Sequence, residues 1–199
     1  MSLSASRLEE IIEGAALIAA PVLFLTSTFY WHNGEYNNVS ATLMILSLFF
    51  WLPAFKALFK VTSQKLPLYS VLALWIAYFG CISGICFAFL GYMATVLDIT
   101  HAQYLDALKN YPLTSQILLF ASGPIFPLTF LVFGVQMLRT HVVPSIVGIL
   151  FCLAGVAFPV SRIARIEWIA HIADLLLLVP CLYIFFKAYV NNSLVQKTS

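Results

Sequence analysis

One stretch of the chain carries most of its chemistry. Arg162-Ile-Ala-Arg165-Ile-Glu167-Trp168-Ile-Ala-His171-Ile-Ala-Asp174 sets two guanidinium groups, two carboxylates and an imidazole among apolar residues. Glu167, His171 and Asp174 are spaced i, i+4 and i+7 and so share one helical face. At about 1.5 Å per residue, Asp174 lies about 10 Å further along the axis than Glu167. Trp168 reads as an interfacial anchor. That places Asp174 at hydrocarbon depth, where an ionised carboxylate costs several kcal/mol unless it is paired, protonated or wetted. The stripe must therefore face a bundle interior or a cavity. Three chemistries fit it. One is a buried polar network, with Asp174 bonded to His171 and Glu167 balanced by Arg162 or Arg165. Another is a site for a small solute, a cation or a proton, bound by Glu167, His171 and Asp174 with Arg162 and Arg165 at the mouth. The third is catalysis.

The run Phe120-Ala-Ser122-Gly123-Pro124-Ile-Phe-Pro127 is the second feature. Its two prolines remove two backbone donors and predict a helix broken around Ser122. Such breaks are tolerated at membrane depth where they line protein or water. Thr114, Ser115 and Gln116 add polar lining, and a pocket bounded by the first, fourth and sixth hydrophobic runs is the expectation. His32 and Glu35 follow the first run on the same side as His171 and Asp174. Together they offer an imidazole and carboxylate set of the kind that suits zinc. No HxxxH pair sets two imidazoles on one helical face, so no metal ligand is assigned and no motif indicates a cofactor.

The elements that position these groups follow from composition. Of 199 residues, 62% are hydrophobic and 9% are charged. A soluble domain has about 45–50% apolar and about 25% charged residues, so this chain cannot cover a water-facing surface. Disorder, a cytosolic enzyme and a secreted disulfide scaffold are excluded. A net charge of +2 without a basic block gives no footprint for nucleic acid. Cys81, Cys86, Cys152 and Cys181 lie in apolar runs without CxxC spacing and read as packing residues.

Windows of about 20 residues give six spans within one domain: Ile11–Trp31, Ala41–Phe59, Leu68–Val96, Leu113–Leu138, Val142–Val160 and Ile166–Phe186. The expected architecture is an all-α, polytopic transmembrane six-helix bundle. Glu9, Glu10 and Glu13 stand where a signal peptide would be positive, so the first span reads as retained, with these acids at the positive end of its dipole. Seven Lys or Arg residues (Arg7, Lys56, Lys60, Lys65, Arg139, Lys187, Lys197) lie on the side of the N-terminus, against three (Lys109, Arg162, Arg165) on the other. This places both termini in the cytoplasm. Lys56, Lys60 and Lys65 read as headgroup anchors. Tyr30, Trp31, Tyr36, Tyr92, Tyr104, Tyr111 and Trp168 form an outer aromatic belt. The loop Asp98–Pro112 reads as a solvated connector, with a short interfacial helix through Tyr104, Leu105 and Leu108 as the alternative. Gly80-x-x-x-Gly84 allows close helix approach, either inside the bundle or in a homodimer.

Two resemblances carry expectations of their own. Ser122-Gly123 on the fourth span and Ala170-His171 on the sixth resemble the rhomboid intramembrane serine proteases, which have a GxSG serine on the fourth of six helices and a histidine on the sixth. Phe120 stands at the first glycine position of that motif. The resemblance implies an intramembrane hydrolase with Ser122 as nucleophile and His171 as base. Gly134-x-x-x-Leu138-Arg139, followed by Val143-Pro144 and Gly148-Ile-Leu, resembles the last hairpin of bacterial six-span membrane proteins of unknown function. It implies a bacterial inner membrane and transfers no activity.

Overall fold

The structure is a computed structural model and describes residues 4–31, 34–120 and 122–191. Its long helices are α1 (Ala5–Thr28), α2 (Asn38–Ser63), α3 (Pro67–Val96), α6 (Ile125–Thr140), α7 (Ser145–Ala164) and α8 (Glu167–Phe185). A short helix α4 (His101–Leu108) and a single turn α5 (Pro112–Ser115) lie between α3 and α6. Six spans are long and apolar enough to cross a membrane, the fourth assembled from Pro112–Thr140 and the last running to Val190. The protein is a multi-pass, all-α membrane bundle. The connector after α3 is helical over His101–Leu108, the alternative raised for this solvated connector; Thr100 and Gln103 close a capping box at its start.

Each long helix packs on its neighbours in sequence, and α8 closes on α1 to complete a ring. Aromatic side chains fill the middle. The Trp51 ring lies 4.9 Å from Phe130, 5.4 Å from Phe55 and 5.8 Å from Phe126, and Phe24 stacks on Phe158 at 5.4 Å. All these rings are buried, whereas Leu68, Val71, Trp75, Ile82 and Phe89 of α3 are exposed. An apolar outside is what lipid requires. Gly80 meets the backbone of Phe126 and Gly84 meets the side chain of Leu48, so both glycines serve contacts inside this chain.

The fourth span breaks where the prolines predict. Gln116–Phe120 widens into a π-helical turn, turns follow at 122–124, and α6 starts after Pro124. Pro124 and Pro127 have no N–H for the carbonyls one turn back. The Ser83 hydroxyl, from α3, donates to the Leu118 carbonyl at 2.8 Å. A neighbouring side chain thus supports the interrupted ladder, as membrane helices require.

At the end holding the N-terminus several of the charges are paired across helices. Helix α1 begins at Ala5, so Glu9, Glu10 and Glu13 fall beyond its first turn and do not cap it. Glu13 is 1% exposed and accepts from Lys60 at 2.6 Å and from the Tyr189 hydroxyl at 3.0 Å. Lys56 pairs with Glu9, and Lys65 donates to the Thr140 carbonyl. These lysines therefore tie helices together instead of only reaching for headgroups. Glu13→Ala leaves the hydroxyl of the half-buried Tyr189 without its acceptor and is expected to cost about 1.5–3 kcal/mol of unfolding free energy in mixed micelles. Lys60→Ala is expected to cost less, because Lys56 remains 3.6 Å from the same carboxylate.

Candidate functional site

At the opposite end, Phe29 before the α1–α2 connection and Gly34 and Glu35 within it pack on the α7–α8 hairpin. Gly34 makes the close approach possible. Its φ is +73°, and a Cβ there would stand 2.5 Å from the Arg165 carbonyl oxygen. Both conditions demand glycine. The Gly34 N–H donates to Glu167 Oε1 at 3.1 Å, and Arg165 donates to Glu35 at 2.6 Å. The Thr28 hydroxyl lies 2.8 Å from His171 Nδ1, and Phe29 stacks on the His171 ring at 4.2 Å. Asn37 caps α2 and holds the Tyr30 carbonyl through its side-chain amide.

The predicted stripe on α8 is present and graded in depth. Glu167 is exposed, His171 half-buried and Asp174 fully buried. Asp174 is met by Arg162, whose Nη2 donates to its two oxygens at 3.0 and 3.3 Å. Arg162 comes from the last turn of α7, and the two-residue connection Arg165–Ile166 folds it back beside α8. Its Nη1 also donates to the Ser161 hydroxyl oxygen at 3.1 Å, and the guanidinium lies over the rings of Phe158 and Trp31, 4.4 and 4.8 Å from their centroids. Aromatic faces favour a cation so placed.

Beside this pair is a cavity of about 210 Å³, lined by Trp31, Gly34, Glu35 and Tyr36 from the α1–α2 segment, Phe87, Gly91, Ala94 and Thr95 from α3, Asp98, Ile99, Tyr104, Arg162 and Arg165. It is not the expected pocket between the first, fourth and sixth spans: no residue of α6 or α8 lines it. Arg162 and Arg165 do line it, as expected, while Glu167, His171 and Asp174 stand behind its wall. Trp31 is buried and Tyr36 half-buried, and the two rings pack edge to face at 5.1 Å. Gly91 makes room for Tyr36, since a Cβ there would sit 3.1 Å from the tyrosine Cβ.

Three lining residues carry a buried polar atom without a well-formed hydrogen bond, Arg162 Nε, Trp31 Nε1 and Tyr36 Oη, and the Arg162 and Tyr36 side chains stand near enough to interact. Two are obligate donors and the third a hydroxyl. Burial pushes the Tyr36 phenol above its ordinary range, which keeps it a neutral O–H. Most buried polar groups in native folds are hydrogen-bonded, so three without a well-formed bond around one cavity mark it out. None was legible in the sequence, because the cavity depends on segments far apart in the chain. Gly34 before α2 and Gly91 within α3 were the available hint that backbone and ring had to approach closely there.

The other candidate groups lie elsewhere. Ser83 gives its one proton to Leu118, so the buried Ser122 hydroxyl donates to Ser83 at 2.5 Å. Ser122 and His171 make no hydrogen bond with each other; each is engaged by a different neighbour. Among the described residues, no three His, Cys, Asp or Glu side chains converge on a common ion position. Glu35, His171 and Asp174 are engaged by Arg165, Thr28 and Arg162, and His32 lies outside the described residues. No protein-family model, curated protein or solved structure matches this chain.

Proposed function

We propose that this membrane protein binds a small polar solute in the cavity floored by Arg162, Tyr36 and Trp31. The cavity faces outward, on the periplasmic side of a bacterial inner membrane, with both termini in the cytoplasm. The excess of Lys and Arg on the terminal side supports that orientation. The observation that carries the binding role is the group of three buried polar atoms on lining residues without a well-formed hydrogen bond. A volume of about 210 Å³ lies below the roughly 300–1,000 Å³ usual for drug-sized ligands, which suits a small solute.

The acids and the imidazole then act from behind. Asp174 orients Arg162; Glu167 and His171 hold the segment that carries Trp31 and Tyr36; the Arg165–Glu35 pair stands at the mouth. The aromatic layer beneath closes the axis of the ring, so binding at one face is favoured over a continuous path. A purely structural role for the polar end is the second reading, favoured by the protein partners that Asp174, His171 and Glu167 already have.

A thermal-shift screen of small amines, carboxylates, sugars and amides on the purified protein tests the proposal. A ligand at about one hundred times its Kd adds about 2.7 kcal/mol, which is about 5–10 °C for a chain of this size. Ala94 lines the cavity, and Ala94→Phe fills it. At least one solute is expected to raise the Tm of the wild type and to lose that effect in Ala94→Phe. No shift in the wild type, or an equal shift in the filled variant, would leave the structural role standing.

A further inference from the structure

Among the described residues, the charges around the cavity do not cancel. Arg162 is balanced by Asp174, and Arg165 by Glu35. Among the described residues Asp98 is left, an exposed lining carboxylate without an ion pair, held at φ +53° after the last turn of α3. The rings of Trp31, Tyr36, Phe87 and Tyr104 share the same walls. A carboxylate near aromatic faces favours an organic cation. The floor asks for something different. Arg162 Nε and Trp31 Nε1 can only donate, so they require an acceptor.

Resting on the solute-binding proposal above, we infer that the ligand is a small organic ammonium compound that also bears a hydrogen-bond acceptor. The cationic head lies by Asp98 at the exposed rim, and the acceptor turns toward the floor of Arg162 and Trp31. A bare metal ion or a proton leaves the donors unmet, and a simple carboxylate confronts Asp98. The cavity is small enough that both groups belong to one molecule. The ammonium has two sources, a free amine or the headgroup of an amine-bearing lipid.

Calorimetric titration in nanodiscs of phosphatidylglycerol, which has no amine, separates these outcomes. Ethanolamine or choline is expected to bind, ethylamine to bind more weakly for want of the acceptor, and propionate not to bind. Asp98→Asn keeps a residue that tolerates the left-handed region and is expected to weaken ethanolamine or choline about tenfold. If phosphatidylethanolamine in the nanodisc competes with the free amine, the headgroup is the source; if it does not, the soluble amine is. Either result supports the ammonium class. Propionate binding as tightly as the amines, or unchanged affinity in Asp98→Asn, overturns it. So does failure of both amines while another solute of the screen still binds, which spares the solute-binding proposal. If nothing in the screen binds, both fall together.

Discussion

Asp174→Ala is expected to be the most damaging single substitution at the polar end, lowering the unfolding free energy by about 3–5 kcal/mol. The carboxylate is fully buried and is the counter-charge of an arginine whose side chain is only 12% exposed. Removing it strands a guanidinium that cannot give up its proton. Arg162→Met is expected to cost less, because the stranded carboxyl can take up a proton and become neutral. The double variant Arg162→Met, Asp174→Leu removes both charges and is expected to recover most of the loss, as apolar replacements of buried ion pairs often do. Denaturant titrations in mixed micelles on the four proteins give the cycle. Equal costs for the two single variants, or additivity in the double, would show that the pair does not act as a unit.

Gly155→Ala is expected to follow at about 3 kcal/mol, the upper end of ordinary overpacking. An added Cβ at Gly155 would lie 2.6 Å from the Leu131 backbone nitrogen and 2.8 Å from the Pro127 carbonyl oxygen. Neither can rotate away, so α6 and α7 would have to separate. Gly84→Ala is the control. Its Cβ would meet Leu48 Cδ1 at 2.9 Å, the end of a side chain that can change rotamer. Alanine also gains about 1 kcal/mol of helix propensity over glycine. Gly84→Ala is therefore expected to be nearly neutral. If the two variants lose stability equally, the distinction between rigid and yielding neighbours is wrong.

Hydrophobic run length revealed the six spans, because each buries its own backbone hydrogen bonds and needs no partner to be recognised. Their ends were less visible. Helix α1 extends six residues before Ile11, where charge ends the apolar run but not the helix. The matched four-residue spacings of Glu9 with Glu13 and Lys56 with Lys60 held the missing signal: two helices exchanging charges at one level. On α8, periodicity put Glu167, His171 and Asp174 on one face, and the face is inward at Asp174. Periodicity cannot say which partner each group takes, and Asp174 chose Arg162 over His171. The cavity was hidden for the same reason. Tyr36 and Trp31 sit in a segment with no period, and Asp98 reaches them only because α3 ends beside it.

The two-residue turn between α7 and α8 has a consequence for how the chain enters the bilayer during synthesis. Arg162 and Asp174 are twelve positions apart, so closing that hairpin brings them together without help from the first half of the chain. Little loop entropy stands in the way of so local a contact. The last two spans can thus pass into lipid as a net-neutral couple at that level, each charge shielded by the other before the ring is complete.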